Sequence, residues 1–224
     1  MRQASVIVFD IDGTLMDHAE AARAALAGWV VSLGQSMTTE IAMAWEAAER
    51  RHFTAWREGE ISFAEQRRRR LREVLPLLGQ PVGDDDQLDR VFAHYLRRYE
   101  AAWLPYPDVR ECLERLRVAS RRLAVLSNGA AEQQRRKLKS IGVASFFSEV
   151  FTPDRLGVAK PHPEAFQRAA ELLGVAPSEC FYVGDDHEAD VLAARRAGWR
   201  AVHLDRTGQM LDADAIAGLD QLLP

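Results

Sequence analysis

Apolar and polar positions along the chain follow two rhythms, and the change between them divides it. Residues 5–9, SVIVF, close on an unbroken apolar run, the pattern of a strand covered on both faces. From 17 to about 103 the apolar and alanine positions recur at helical spacing, as in HAEAARAALAGWVVSLG and EIAMAWEAAERRHFTAW, with no convincing strand. Gly34, Gly59, Gly79 and the stretch GQPVGDDD predict the breaks between these helices. Trp29 and Trp45 fall where they would pack between them. Pro105 and Pro107 then stop one helix and open another at DVRECLERLRVAS.

Beyond that point short β-type runs alternate with helices. RLAVLSN is followed by a helix over about 130–141, SEVFT by one after Pro163, and CFYVGD by one running to Ala197, before RAVHL. Such alternation predicts right-handed crossovers and a parallel sheet with helices on both faces, an α/β core. The first strand belongs with this second group. The helical block therefore reads as an insert placed directly after it, with a core of 1–16 and 103–224 and an insert of 17–102.

Composition adds bounds rather than direction. At 224 residues and 47% hydrophobic, the chain can bury one full core and a smaller insert. No apolar run approaches the roughly 20 residues of a bilayer crossing, and the opening residues do not read as a signal peptide. Cys112 and Cys180 lie far apart with no paired spacing, so a reduced, cytoplasmic protein without a membrane partner is expected. A net charge of −4 gives no reason to expect nucleic acid. The run EQRRRRLREVL tests that reading. Neighbouring helical residues point about 100° apart, so these arginines are expected to fan round a solvated face rather than form one stripe.

The chemistry gathers at strand ends. In a parallel sheet, ligands bind beyond the carboxyl ends of the strands, near the switch in strand order. The first strand ends in Asp10, with Asp12 two residues on; the second ends in Ser127, Asn128 and Gly129; a later one ends in Gly184, Asp185 and Asp186. Lys160 lies in the intervening loop GVAKPHPEAF. Neighbouring carboxylates need a cation to stay ionised, and an oxygen-only donor set without clustered histidine or cysteine points to Mg²⁺. Hydroxyl, amide and backbone donors at 127–129, with the fixed charge of Lys160, suit an anion. Acids for a metal and donors for an anion suggest phosphoryl chemistry. Taken singly, each piece is an ordinary turn, loop or helix cap; an EF-hand is excluded, because Gly13 is fourth from Asp10 and Ala21 twelfth.

These four segments together resemble the haloacid dehalogenase-like hydrolases, in the branch with a helical cap after the first strand of a Rossmann-like sheet. They read Phe9-Asp10-Ile11-Asp12-Gly13-Thr14-Leu15, Ser127-Asn128-Gly129, Lys160-Pro161-His162-Pro163, and Gly184-Asp185-Asp186 with Asp190. The resemblance spans nearly the whole chain. It implies that Asp10 is a nucleophile forming an aspartyl-phosphate, and that Asp12 protonates the leaving oxygen and then activates water. It implies Mg²⁺ held by Asp10, Asp12 (through its backbone carbonyl) and Asp185, and phosphoryl oxygens held by Ser127 and Asn128. Lys160 would offset charge, Asp190 would support Lys160 or a metal-bound water, and Gly13 and Thr14 would shape the loop beside the nucleophile. Gly129 would let backbone donors approach the anion.

Single positions sort the family's chemistries. Its dehalogenases typically lack the second acid of the first motif, and its sugar phosphomutases carry a histidine near Ala22. Its phosphonate-cleaving members need a cap lysine, and residues 17–103 contain none. The expectation is therefore a Mg²⁺-dependent phosphatase acting on a small phosphorylated metabolite, such as a sugar phosphate, phosphoglycolate or a nucleoside monophosphate. The alternative from another class is a catalytically silent binder of a phosphorylated ligand or partner. His18, His52, Phe53, Trp56 and Arg57 are candidates for substrate contact, though each also suits a hinge or a packed interior. His187 reads as a solvated loop residue and His162 as part of a helix start.

Overall fold

Five short strands form the sheet: Val6–Phe9 (β1), Arg122–Leu126 (β2), Glu149–Phe151 (β3), Cys180–Gly184 (β4) and Arg200–His203 (β5). The computed structural model describes residues 4–208 and 214–222. The strands pair in parallel throughout, in the order β3-β2-β1-β4-β5. All four residues of β1 are buried, which accounts for its unbroken apolar run: both faces of this central strand are covered. Val6 and Val8 join one core cluster with Phe151, Phe166, Tyr182 and Trp199. On the other face the Phe9 ring meets Phe147 edge-on at 6.2 Å. The chain winds from β1 out to β3, then returns past β1 to β4 and β5. The switch in strand order thus falls at the end of β1, where Asp10 sits.

The chain divides into two compact units, Met1–His18 with Leu104–Pro224, and Ala19–Trp103. The first holds the sheet with Val109–Val118 (a helix preceding β2) and the crossover helices that follow. The second is helical: His18–Ser32 (α1), Thr39–Arg57 (α2), Phe63–Val74 (α3) and Asp85–Ala101 (α4). Polar caps start three of them, with Thr38, Ser62 and Asp84 accepting from backbone N–H groups. Numbering onward in chain order, Val109–Val118 is α5, Ala131–Ser140 α6, Pro153–Leu156 α7, Pro163–Leu173 α8 and Ala193–Arg196 α9. No helix among the described residues is long and apolar enough to cross a membrane.

Within the helical unit Trp29 and Trp45 are both buried, their rings 5.6 Å apart, and Tyr95 lies 4.5 Å from Trp45. The arginine run does not fan into solvent as its helical spacing predicts. Arg70 is buried, its guanidinium 4.4 Å over the Trp45 ring and paired with Glu49 at 3.0 Å. Arg68 binds Asp85 and Asp89 of α4, and Arg72 binds Glu65 and Asp85. Arg67 stacks over Phe63 and Phe92. The cause is non-local: α3 packs between α2 and α4, whose acids and aromatic rings meet its arginines on several sides. His52 is likewise buried, with Glu73 2.6 Å from its Nε2.

Candidate active site

Three strand ends and the loop that carries Lys160 meet at the carboxyl edge of the sheet. Asp10 follows β1 directly and is anchored by its N–H to Val183 O of β4 at 2.9 Å. The chain then turns sharply, with the N–H groups of Leu15 and Met16 both donating to Ile11 O. Gly13 makes this turn possible in two ways. Its φ is 85°, and a Cβ there would stand 2.1 Å from Asp185 Oδ2. Thr14 Oγ1, at the turn's far side, donates to Asp185 Oδ1 at 3.2 Å.

Lys160 is the hub. Its buried ammonium donates to Asp10 Oδ1 at 2.8 Å, Asp190 Oδ1 at 2.5 Å and the Tyr182 hydroxyl at 2.8 Å, using all three of its hydrogens. Asn128 holds the backbone of Lys160 from both sides, donating to its carbonyl and accepting its N–H, each at 2.8 Å. Asp190 reaches Lys160 from a wide π-type turn, His187–Leu192, where the alternating pattern predicts an ordinary helix start. Asp186 caps that turn, and the absence of a side chain at Gly184 leaves room for Asp190.

Electrostatics set the acids apart. Burial drives the Asp10 carboxyl up to about 7; Lys160 opposes this, while Asp190 and Asp12 add to it. Burial and the charges of Asp10 and Asp190 push Asp185 well above the carboxylate range. Carboxylate oxygens of Asp10, Asp185 and Asp190 lie within 4.8 Å of one another, a set of hard oxygen donors whose mutual repulsion a divalent cation would relieve. The residues present therefore fit Mg²⁺. The Asp12 carboxylate stands outside this trio. Burial alone would raise it, but the Lys137 ammonium, His18 and Gln134 outweigh that and hold it at about 2.

A profile of the haloacid dehalogenase-like hydrolases matches residues 4–198. The chain belongs to this family. It is 35% identical over 188 residues to the phosphoserine phosphatase of Thermus thermophilus, covering 84% of this chain and 71% of that one. It is also 28% identical to (S)-2-haloacid dehalogenase 2 of a Pseudomonas species, over 99% of this chain and 95% of the relative. Among solved structures, the HAD-hydrolase YfnB of Bacillus subtilis, bound to magnesium, superposes with a TM-score of 0.83 at 20% identity, over 97% of this chain and 96% of that one, a likeness of fold.

Within this HAD-like site, three residues escape the sequence reading: Lys137, Gln134 and Tyr182. Lys137 Nζ donates to both Asp12 oxygens, at 2.6 and 2.7 Å. Gln134 Nε2 donates to Asp12 Oδ2 at 3.0 Å and to Ser127 Oγ at 2.7 Å. Both lie on α6, and both are buried. They occupy the spacing where a helix packed on a sheet shows leucine or valine, but as polar residues of a polar helix they read as solvent-facing. Tyr182, the third partner of Lys160, reads only as a core residue of β4. His18 Nδ1 stands 3.9 Å from Asp12 Oδ1. The His187 ring meets His203 edge-on, with ring centres 5.4 Å apart, and His162 caps α8 by accepting Glu164 N–H.

Proposed function

We propose that this chain is a phosphoric monoester hydrolase, a HAD-like phosphatase with Asp10 as nucleophile. The observation that carries this reading is Asp10 itself: a buried carboxylate at the switch point of the sheet, fixed by Lys160 beside two further acids. The named phosphatase relative supports it. In the first transfer an Asp10 oxygen attacks phosphorus, the P–O ester bond breaks, and the leaving oxygen takes its proton from Asp12. Ligand-free Asp12 is a carboxylate; the charge of the arriving phosphoryl group raises its proton affinity, and it takes up from solvent the proton it then delivers to the leaving oxygen. In the second transfer water attacks the aspartyl-phosphate, Asp12 receives the water's proton, and phosphate leaves as Asp10 is regenerated.

Ser127, Asn128 and the backbone at Gly129 would hold phosphoryl oxygens, and Lys160 would keep the attacking carboxylate from repelling the incoming dianion. Gly13 and Thr14 keep the turn beside Asp10 tight. Asp10, Asp185 and the Asp12 backbone carbonyl would hold Mg²⁺, with Asp190 in support. When bound, the ion supplies positive charge against the phosphoryl oxygens. Residues 17–102 are assigned as the cap domain of this enzyme and 1–16 with 103–224 as its core. The substrate class is a small phosphomonoester: a sugar phosphate, phosphoglycolate, phosphoserine or a nucleoside monophosphate.

The dehalogenase relative favours a second reading, in which Asp10 attacks a halogen-bearing carbon. Asp12 weighs against it, because that displacement releases halide and leaves no oxygen to protonate.

The test is release of p-nitrophenol and phosphate from p-nitrophenyl phosphate with Mg²⁺, with and without chelator, beside halide release from a 2-haloacid. Phosphate release abolished by Asp10→Asn and by chelator is expected. An inert wild type, or Asp10→Asn turning over like wild type, defeats the proposal.

A further inference from the structure

Helix α6 carries Gln134 and Lys137 three residues apart, on the side turned towards the first motif, and both are buried in an otherwise strongly polar helix. Their contacts are unusual for packing residues. The Lys137 ammonium reaches both oxygens of Asp12, and the Gln134 amide joins Asp12 to Ser127. The Gln134 amide turns its NH₂ to Asp12 Oδ2 and Ser127 Oγ, donating to both. That orientation leaves Gln134 Oε1 buried with no hydrogen-bond partner. A leucine would fill the space without stranding an acceptor, so packing alone does not explain a glutamine here. Because the amide donates to Ser127 Oγ, the serine hydroxyl hydrogen is left to point elsewhere. Gly129 completes the device: a Cβ there would stand 2.2 Å from Gln134 Nε2.

We propose that Lys137 and Gln134 are positioning residues of phosphoryl transfer, fixing the Asp12 carboxylate and the Ser127 hydroxyl in one arrangement from α6. This inference rests on the phosphatase reading. The two acids of the first motif then have one lysine each: Lys160 for the attacking carboxylate, Lys137 for the proton-transferring one. Neither Lys137 nor Gln134 needs to touch substrate. Their effect passes through Asp12 and Ser127.

The experiment compares kcat/KM for two esters, p-nitrophenyl phosphate and glycerol phosphate, in wild type, Lys137→Met, Lys137→Arg and Gln134→Leu. Nitrophenolate leaves readily without a proton, whereas an alkoxide does not, so a misplaced Asp12 harms the second ester more. The quantity read is the ratio of the two kcat/KM values, which is independent of how much of a preparation is folded. Lys137→Met is expected to lower that ratio for glycerol phosphate by about tenfold or more, with Lys137→Arg recovering part of it. Gln134→Leu is expected to raise the Ki of inorganic phosphate by about fivefold, as one hydrogen bond's worth of Ser127 placement is lost. A ratio unchanged in Lys137→Met, or arginine no better than methionine, overturns the role of Lys137. An unchanged phosphate Ki overturns that of Gln134. A wild type inert on both esters defeats the phosphatase reading and this inference together, whereas an active wild type with unaltered ratio and Ki in the variants defeats the inference alone.

Discussion

The Asp12–Lys137 pair should be visible in acid stability, without any turnover. Folded Asp12 titrates near 2 against an ordinary 3.8, so the unfolded chain binds this proton first as pH falls. The contribution of Asp12 with its partners, Lys137 first and then His18 and Gln134, is complete above about pH 5 and disappears as pH falls through the window between about 4 and 2. At about 1.4 kcal/mol per tenfold difference in proton affinity, the drop from 3.8 to about 2 corresponds to about 2.5 kcal/mol. Lys137 is only 5% exposed and Asp12 28%, so solvent screening trims this modestly, to about 2 kcal/mol. The perturbation is Asp12→Asn, which keeps shape and removes the titration. Urea unfolding of both proteins in chelator, at about pH 6.5 and about pH 2.5, gives two stability gaps. The wild type should lead at the higher pH, and its lead should shrink by about 1.5–2 kcal/mol at the lower. A lead of equal size at both pH values would refute the pairing, and a lead that grows in acid would refute its sign.

Asp10 should behave oppositely. Burial lifts it to about 7, so the folded chain holds a proton that the unfolded chain releases between about pH 4 and 7, and this stabilising contribution fades as pH rises through that window. In chelator, the melting temperature of Asp10→Asn should therefore gain on wild type from pH 5 to 8, a trend that calorimetry can check. Gly13→Ala brings a Cβ to 2.1 Å from Asp185 at a positive φ, so Asp185 must move; the Mg²⁺ concentration for half-maximal phosphate release should rise at least several-fold. Trp45→Ala empties a buried ring site ringed by Trp29, Tyr95, Phe92 and Arg70, and should destabilise the helical unit by about 3–5 kcal/mol in a denaturant titration followed by tryptophan fluorescence.

Legibility followed the range of the interaction that fixes each residue. The strands were readable because burial on both faces writes itself into consecutive residues, as in VIVF. The strand-end groups were readable because parallel topology brings such ends to one edge whatever their separation in sequence. Lys137 and Gln134 were not, since a polar residue on a polar helix defaults to solvent until its partner, more than a hundred positions away, is known. Arg70 misled for the same reason: its aromatic neighbours lie on α2 and α4, and only α3's packing between those helices reveals it as an interior residue. The π-type turn at His187–Leu192 had no signature in apolar spacing, because its determinant is the aim of one side chain, Asp190, at Lys160.

Where the chain leaves the sheet and where it returns lie side by side. Met16 and Pro105 form an antiparallel bridge, and Asp17 N–H donates to Leu104 O at 3.2 Å. Arg206 cements the base, binding both oxygens of Asp108 and the carbonyl of Thr14 while stacking 3.7 Å over Tyr106. To the sheet, the helical unit is thus one long loop with its neck already tied. Evolution, or an engineer, can lengthen, shorten or exchange whatever hangs from that neck without redrawing the turn that carries Asp10. Both ends of the inserted unit are thus held by contacts made within the sheet unit itself.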